Sequence, residues 1–354
     1  MQFVTLTSEE FRKFATKSPY QSFMQTPEIA KYREDNGWTA HYLGLKDGNK
    51  IKAATLLVSK ATFLSKATFI APGGPLLDFE DKPLAKKFLS SLKSYAKSHN
   101  GYILQISPYY ELIQRDRQGE IMTNGFDHSS ALSVLKNFGF TEIEHASQPK
   151  YMFALDIAGR TEDQILADMK SNTRNHIRKA EKMGVKVREL KREELNILKQ
   201  ITESTSARRG FTDRPLSYYQ EMYDLFYPRN EIKFFVAEAN GTPMSAAMFM
   251  LVGNEVVYLF SGSYKEYMHD YNAQYLIQWE IIKYAIKHGY SRYNFYGIKN
   301  LPDQSSKDEG IYTFKKGFTS KGTGRVIELI GTFETPIIPS IYRLHNFLAC
   351  IKHK

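Results

Sequence analysis

The sequence contains a single cysteine, Cys350, in 354 residues. One thiol excludes a disulfide framework within the chain and any metal site built on several cysteines. The first residues turn polar and acidic at once, which does not match a secretory signal. The longest apolar stretch, 244–260, is interrupted by Gly253, Asn254 and Glu255, so it falls short of the roughly 18 residues of a membrane span. We therefore expect a soluble, cytoplasmic protein.

Common nucleotide and metal motifs are also missing from the sequence. There is no P-loop, GxGxxG, HExxH or CxxC pattern, and the nine histidines are scattered. No metal or redox cofactor is predicted. The chain does have 42% hydrophobic residues, enough length for two domains and a formal net charge of +10. Such a positive excess favours phosphate-bearing partners or an anionic membrane surface.

Two stretches of the sequence resemble each other. Residues 42–58 and 234–252 each predict a hairpin, with turns at Asp47-Gly48 and Asn240-Gly241. In both, a pair of alanines follows the turn glycine by five residues. Further along, each stretch reaches a helix that runs into a strand, "LKSYAKSHNGYILQI" and "IIKYAIKHGYSRYNF". We interpret this as two copies of one α/β unit.

Each copy is predicted to contain a hairpin, a third strand, a helix and a fourth strand. This order favours the N-acyltransferase (GNAT) superfold over a doubly wound Rossmann sheet. The predicted fold class is α/β (α+β), with two tandem GNAT-like domains and mixed central sheets. We assign residues 1–150 to the first domain and 151–325 to the second. The tail, 326–354, is predicted to pack back on the first domain.

Residues 161–184 predict one helix that carries a row of positive charge. Thr161 and Gln164 match a capping box, and Gly184 matches a C-terminal cap. The residues predicted to face the core are Leu166, Met169, Thr173, Ile177 and Ala180. The basic stripe, defined as Lys170, Arg174, Arg178 and Lys182, recurs every four residues. Like charges at this spacing cost roughly 0.2–0.5 kcal/mol per pair, so we expect an anionic partner along the stripe.

Coenzyme A binding is weakly supported. In the GNAT superfold a glycine-containing turn usually opens the helix after the third strand, where backbone N–H groups hold the pyrophosphate. The corresponding segments here, "DFEDKPLAKK" and "YKEYMHDYNAQY", contain no glycine. A coenzyme A-dependent N-acyltransferase therefore remains only an alternative interpretation.

Two later segments combine cations with aromatic residues. The first, 204–226, contains Arg208, Arg209, Arg214, Tyr218 and Tyr219. It either binds a phosphate and stacks on a base or sugar, or is a solvated loop followed by an amphipathic helix. The second, 309–318, predicts a short helix with Phe314 and Lys315. This lysine is either a snorkelling surface residue or a cation in a low-dielectric cleft, where it would stabilise an oxyanion.

The chain resembles the FemABX family of peptidoglycan interpeptide-bridge aminoacyltransferases in four segments that follow in order: "SNTRNHIRKAEKMGVKV", "ARRGFTDRPLSYYQEMYDLF", "YLFSGSYKEYMHDYNAQYLIQWEIIKYA" and "YTFKKGF". The likeness is greatest to the FemX branch and extends from residue 18 to about 320. It implies two acyltransferase-like domains, in agreement with the duplication. Several relatives insert a two-helix coiled-coil arm in the second domain, and residues 193–230 are too few for one.

The resemblance implies transfer of a small amino acid, alanine, serine or glycine, from aminoacyl-tRNA. The acceptor would be the stem-peptide amine of UDP-MurNAc-pentapeptide or of lipid II, and we expect a monomer without a cofactor. An aminoacyl ester is already activated, so the attacking amine need only be neutral, aligned and desolvated. A non-catalytic RNA-binding protein is a further alternative, but it gives Arg214 and Lys315 no shared purpose.

Site residues follow from the same resemblance. Lys315 and Phe314 match the pair associated with acyl transfer and the tRNA terminus. The precursor's phosphates are assigned to Arg214 and Tyr218, together with Lys31 from the first domain, for which Arg33 is a possible substitute. Tyr258 lies on the strand predicted to line this cleft.

The sequence departs from the family in two places. Ser107-Pro108 stands where relatives often have Asp-Pro, so we assign no carboxylate base. Phe260 stands where relatives often have tyrosine, which removes one possible hydroxyl contact.

The basic stripe is then predicted to contact the tRNA backbone, since phosphate contacts position a nucleic acid without reading its sequence. The rival partner is anionic lipid at the membrane face. That alternative fits a lipid-linked precursor and the amphipathic tail, 341–351.

Overall fold

The computed structural model describes residues 1–143, 148–299, 301, 309–320 and 322–352. Its strands are β1 (Gln2–Thr5), β2 (Thr39–Asp47), β3 (Lys50–Phe63), β4 (Lys66–Gly73), β5 (Gly101–Pro108), β6 (Glu111–Gln114), β7 (Thr141–Glu142), β8 (Tyr151–Asp156), β9 (Lys186–Glu189), β10 (Ile232–Ala239), β11 (Thr242–Val252), β12 (Glu255–Ser263), β13 (Arg292–Ile298), β14 (Gly324–Leu329) and β15 (Phe333–Pro336). Its helices are α1 (Ser8–Ala15), α2 (Pro27–Asp35), α3 (Lys82–Ser98), α4 (Ser130–Asn137), α5 (Glu162–Asp168), α6 (Ser171–Lys182), α7 (Leu195–Arg209), α8 (Leu216–Phe226), α9 (Lys265–Met268), α10 (Ala273–Lys287), α11 (Glu309–Lys316) and α12 (Pro339–Lys352).

The chain divides into two compact units. The first comprises Met1–Gln114, Asn124–Lys150 and Glu328–Lys354. The second comprises Arg115–Thr123 and Tyr151–Ile327.

The first unit is built on a mixed sheet in the order β1–β2–β3–β4–β5–β15–β7. The β4–β5 pair is parallel, and the β1–β2, β2–β3, β3–β4, β5–β15 and β15–β7 pairs are antiparallel. Helix α3 makes the crossover between β4 and β5 and buries Phe88, Leu92 and Ala96 against the sheet. The strand β15, from the C-terminal segment, pairs with β5.

The second unit repeats this layout in the order β14–β8–β13–β12–β11–β10–β9. The hairpin β10–β11 leads to β12, then α10 makes the crossover to β13, which is parallel to β12. Asn240 and Gly241, at the hairpin turn, both have positive φ angles, as a type I′ turn requires. The prediction of two related GNAT-like units with mixed sheets is therefore confirmed.

The prediction of one helix over residues 161–184 is wrong. Helix α5 ends at Asp168, Met169 has an extended ψ of 150°, and α6 begins at Ser171. Lys170 is therefore the N-cap of α6, and the four-residue spacing of the basic stripe on one helix begins only at Arg174. The predicted capping box of Thr161 and Gln164 is present on α5.

Hydrogen bonds hold this break between α5 and α6 in place. The Arg174 guanidinium donates to the carbonyls of Ala167 and Met169, which end α5. The buried carboxylate of Asp168 accepts from the hydroxyls of Thr319, at 2.8 Å, and Thr323. The apolar positions still face inward, since Met169, Thr173, Ile177 and Ala180 are buried and Leu166 packs against the same core.

Helices α7 and α8, between β9 and β10, have 15 and 11 residues. This fits the predicted absence of a coiled-coil arm from residues 193–230, which are all described. Helix α7 lies close against β12 at Gly262, where an added Cβ would come within 2.5 Å of the Ile201 carbonyl oxygen. Among the described helices, none is both long enough and apolar enough to cross a membrane.

Candidate active site

The parallel strands β12 and β13 separate shortly after they pair. They are paired only where residues 255–257 of β12 lie beside residues 292–294 of β13. The equivalent pair in the first unit, β4 and β5, stays together over residues 67–73 and 101–108. The later halves of β12 and β13 therefore leave an opening in the second sheet that the first sheet does not have.

Irregularities in both strands accompany this separation. The register of β12 on β11 shifts so that Leu259 is an extra residue, as in a β-bulge. On β13 the register on β8 shifts between Asn294 and Gly297. Within that shift Tyr296 has a φ of 62°, and its N–H donates to the Asn294 side chain at 2.7 Å. A tyrosine with left-handed φ is uncommon and indicates a conformation held by its surroundings.

A cleft of about 560 Å³ occupies the opening, entirely within the second unit. Its walls come from β12, β13, the end of α7, the α9–α10 segment and α11. The lining includes Arg208, Arg209, Phe211, Tyr258, Phe260, Ser261, Gly262, Met268, Gln274, Tyr275, Phe295, Tyr296, Phe314 and Lys315. The cleft is thus rich in aromatic rings, with cations from α7 and α11.

Lys315 is the buried cation of this cleft. Its side chain is only 5% exposed, and its ammonium donates to the carbonyls of Gly297 at 2.5 Å and Tyr296 at 3.2 Å. The turn at Tyr296 therefore presents two carbonyls to the lysine. Burial lowers the Lys315 pKa to about 7, because a low-dielectric environment disfavours the charged form. The snorkelling alternative for Lys315 is excluded by this burial.

Phe314, next to Lys315, belongs to an aromatic wall. Its ring lies 5.0 Å from the Tyr275 ring, centroid to centroid, and 5.4 Å from the Phe318 ring. Tyr275 in turn stacks on His176 of α6 at 4.5 Å. The wall therefore connects the cleft to the helix that carries most of the basic stripe.

Tyr258 lies within the cleft, where its hydroxyl donates to the Ser261 hydroxyl. Burial raises the Tyr258 pKa to about 12 although Ser261, Arg209 and Gln278 act in the opposite direction. The phenol therefore stays neutral at physiological pH and keeps the proton that it donates to Ser261.

Arg214 lies beside Tyr218, with its guanidinium 5.4 Å from the ring centroid. The Tyr218 ring makes an edge contact with Phe260 at 5.7 Å, and Phe260 lines the cleft. The structure therefore brings Arg214 and Tyr218 to the β12 side of the cleft. Arg214 itself is exposed, as a group that binds a phosphate from solution must be.

Asp213, which was not singled out from the sequence, anchors the loop between α7 and α8. Its side chain is 7% exposed and accepts from Thr202 at 2.8 Å, Tyr219 at 2.9 Å and Lys199 at 3.0 Å. Burial would raise the Asp213 pKa, but these hydrogen bonds outweigh it and lower the pKa. Asp213 is thus a buried, charged anchor immediately before Arg214.

Lys31 lies on α2 of the first unit, with its ammonium paired to Asp35 one turn later. The pair is largely exposed, and exposed pairs of this kind contribute little to stability. The substitute considered for it, Arg33, lies over the Trp38 ring at 5.4 Å.

The four residues of the basic stripe differ in their contacts. Arg178 and Lys182 are exposed on α6, whereas Arg174 is engaged with the carbonyls of α5. Lys170 is exposed, and its N–H donates to the Gly317 carbonyl at 3.0 Å, just beyond the helix that carries Lys315. The start of α6 therefore lies next to the end of α11.

Two further cations lie near Lys170 and were not singled out from the sequence. Burial is the largest cause of a lowered Lys316 pKa, and the charges of Arg117 and Lys170 lower this pKa further. Arg117 also donates to the Thr319 carbonyl at 2.9 Å. Arg117 lies about 200 positions from Lys316 in the sequence, so no local pattern could have grouped them.

A scan of family models matches the FemAB family over residues 6–242 and 239–350. The chain belongs to the FemAB family. This membership confirms the family expected from the four sequence segments, and the aminoacyltransferases among the relatives make the chain a transferase.

Individual relatives agree with that assignment. The chain is 29% identical to "Aminoacyltransferase FemA" of Staphylococcus aureus (strain MRSA252) over 424 aligned positions, which cover 100% of both chains. This chain has 354 residues, so at least 70 of the aligned positions (424 − 354) are FemA residues that have no counterpart in it.

Solved structures support the fold. The crystal structure of FemX superposes with a TM-score of 0.83 at 21% identity and covers 97% of this chain and 99% of that one. A tandem GNAT protein from the clavulanic acid biosynthesis pathway gives a TM-score of 0.55 at 10% identity and covers 95% of this chain and 98% of that one.

Proposed function

We propose that this chain transfers an amino acid from aminoacyl-tRNA to the stem-peptide amine of a peptidoglycan precursor, in the cytoplasm. The observation that carries the proposal is Lys315, a buried lysine held by two carbonyls in an aromatic cleft of a FemAB-family protein. The name of the relative, aminoacyltransferase FemA, supports the reaction type.

The reaction exchanges an ester for an amide. The neutral amine nitrogen attacks the ester carbonyl carbon, and the carbonyl electrons move onto the oxygen. When this intermediate collapses, the C–N bond is kept and the bond to the ribose oxygen breaks. The amine proton passes through water or a tRNA hydroxyl to the leaving ribose oxygen, which ends as a hydroxyl. Both substrates bring the reacting groups, so the protein's tasks are alignment and charge stabilisation.

Lys315 is suited to stabilising the developing oxyanion. A lysine ammonium has three N–H donors, and within the described residues two of them point at Tyr296 and Gly297. The third can reach a substrate oxygen in the cleft without the lysine changing its position. The aromatic wall excludes water, and this strengthens an electrostatic contact. Phe314 would pack against the terminal nucleotide or the aminoacyl group.

The precursor's phosphates would bind at Arg214, with the Tyr218 hydroxyl as a donor and with Tyr258 lining the same cleft. An arginine fork makes two parallel hydrogen bonds to a phosphate, and the Asp213 anchor limits the motion of the loop that carries it. Lys31 is the proposed second phosphate cation. The transferred residue is proposed to be alanine, serine or glycine.

The tRNA would lie along Arg178 and Lys182 and reach the cleft past Lys170. The Lys170–Gly317 hydrogen bond places the start of α6 beside α11, so RNA on the stripe passes close to Lys315. Lys316 and Arg117 add positive charge at the same place. Phosphate contacts of this kind fix position without reading bases.

The direct test is to incubate the protein with charged tRNA pools and with either UDP-MurNAc-pentapeptide or lipid II, and to weigh the products. We expect one precursor to gain the mass of a single alanine, serine or glycine residue. Failure of every charged tRNA to modify either precursor would refute the proposal.

A further inference from the structure

Helix α12 of the first unit has one face packed and one face exposed. On the packed face, His345 lies 5.2 Å from the Phe63 ring and 5.6 Å from the Tyr102 ring, and the Tyr342 hydroxyl donates to Glu334 at 2.5 Å. The exposed face carries four large apolar side chains: Leu344 (43% exposed), Phe347 (63%), Leu348 (39%) and Ile351 (55%). Their spacing of three and four residues places them on one side of the helix.

The β3–β4 hairpin of the same unit adds a second exposed apolar group. Its tip residue, Leu64, is 62% exposed and has a φ of 48°, followed by Ser65 at 58°. Glycine, asparagine and aspartate are the usual residues at such positions, because a side chain there is strained. A leucine at this turn has an unfavourable backbone conformation, and its apolar side chain is exposed to solvent. Since Phe63 contacts His345, the hairpin tip and α12 are neighbours.

The two segments that carry these groups contain positive charge only, although the neighbouring Glu334 contacts Tyr342 on the packed face. Residues 335–354 contain no aspartate or glutamate and include Arg343, Lys352 and Lys354. The hairpin segment, 48–77, also lacks acidic residues and includes Lys60 and Lys66. A protein partner with an apolar surface would not require this bias, whereas a bilayer with anionic headgroups attracts it.

We propose that the interfacial patch, defined as Leu64, Leu344, Phe347, Leu348 and Ile351, docks the protein on an anionic membrane surface. A helix of 14 residues is too short to span a bilayer, and α12 would lie in the interface with its apolar side toward the acyl chains. Arg343 and Lys66 would contact the headgroups. This binding needs neither substrate, so it stands or falls independently of the proposed transfer reaction.

The test is sedimentation of the full chain with vesicles of phosphatidylcholine, with and without phosphatidylglycerol. We expect binding only when phosphatidylglycerol is present. The variant Leu64→Asn, Phe347→Gln, Ile351→Gln should weaken binding at least about tenfold, since it removes three apolar contacts. The variant Arg343→Gln, Lys66→Gln should weaken it by a similar factor at low salt.

Matched controls separate this patch from other surfaces. Ile121 and Met122 in the second unit are also exposed, at 60% and 42%, and Ile121→Gln, Met122→Gln should leave vesicle binding unchanged. So should Arg178→Gln, Lys182→Gln on the basic stripe. The thermal unfolding midpoint checks that each variant is folded. If the triple variant is unfolded, the single Leu64→Asn change, which favours the turn, decides the question.

Three results would overturn the proposal. The first is that the wild-type chain binds neither vesicle, or binds both equally. The second is that the triple variant binds phosphatidylglycerol vesicles as tightly as wild type does. The third is that wild type self-associates with rising concentration while the triple variant stays monomeric without any change in vesicle binding. That last result would show that a second copy of the chain covers the patch.

Discussion

The ammonium of Lys315 donates to the carbonyl of Gly297 at 2.5 Å, at the point where β13 has left its ladder with β12. The irregular turn at Tyr296 and the position of α11 therefore depend on each other. The contact fixes a buried cation at the opening between two strands. This is where an oxyanion would form in the proposed reaction.

Replacing Lys315 by Met should slow aminoacyl transfer by about 10²–10³-fold, because an oxyanion donor is lost while the side-chain volume is kept. Single-turnover rates at saturating substrates measure the chemical step. Lys265→Met, at an exposed lysine of α9, is the control and should keep most of the rate. Equal rates for wild type and Lys315→Met would remove Lys315 from the mechanism.

The same substitution should make the protein more stable at neutral and acidic pH. The Lys315 pKa is lowered to about 7 in the folded protein by burial, while an unfolded lysine has a pKa of 10.5. Between these values the unfolded state binds more protons, so wild-type stability rises with pH; below about 7 the full cost of burying the charge is present. The stability gap between Lys315→Met and wild type should therefore shrink by about 2–3 kcal/mol from pH 7 to pH 9.

Urea unfolding of both proteins at pH 6, 7 and 9 measures this gap. Lys265→Met, at an exposed lysine of α9, is the control and should show no such trend. A gap that stays constant or widens with pH would mean that folding does not lower the Lys315 pKa.

Arg214→Ala should raise the KM for the precursor by roughly 10- to 100-fold, the range expected for a lost hydrogen bond to a charged group. Arg214→Lys should recover only part of the loss because a lysine cannot form the two-pronged contact. Arg229→Ala, at an exposed arginine paired with Glu231 at 3.2 Å, is the control. A normal precursor KM with a raised tRNA KM would indicate that the two substrate sites have been exchanged.

The basic stripe should respond in two different ways. Arg178→Gln with Lys182→Gln should flatten the dependence of log tRNA affinity on log salt by about 0.7–0.9 per lost contact. Arg174→Gln should mainly lower the unfolding midpoint, because it frees the carbonyls of Ala167 and Met169. An unaltered salt slope in the Arg178, Lys182 variant, together with lost vesicle binding, would assign the stripe to the membrane.

Local patterns were enough to predict much of the fold. The hairpin turns, the α5 capping box and the inward-facing residues of α6 depend on neighbours in sequence, and all were predicted. The break at Met169 was not, because it is held by Asp168, whose partners Thr319 and Thr323 lie some 150 residues away. The apolar residues keep a helical spacing across Met169, so the sequence pattern gave no sign of the break.

The candidate site shows the same division. Lys315, Phe314 and Tyr258, which the family resemblance singled out, line the cleft, but the resemblance gave no reason for the burial of the lysine. That burial depends on the Tyr296 turn and on the separation of β12 from β13, which are features of strand pairing. Asp213 was missed because its three partners come from α7 and α8 and only the folded loop brings them together.

The most direct test compares two acyl donors at equal concentration with the purified chain and its precursor. In the proposed function aminoacyl-tRNA supplies an activated ester and would reach the cleft along α6, whereas the turn before α10 lacks the glycines that usually hold a coenzyme A pyrophosphate. We predict that mass spectrometry will find the new amide only with aminoacyl-tRNA, and that acetyl-coenzyme A will give none. Amide formation from acetyl-coenzyme A at a comparable rate would contradict the proposed function.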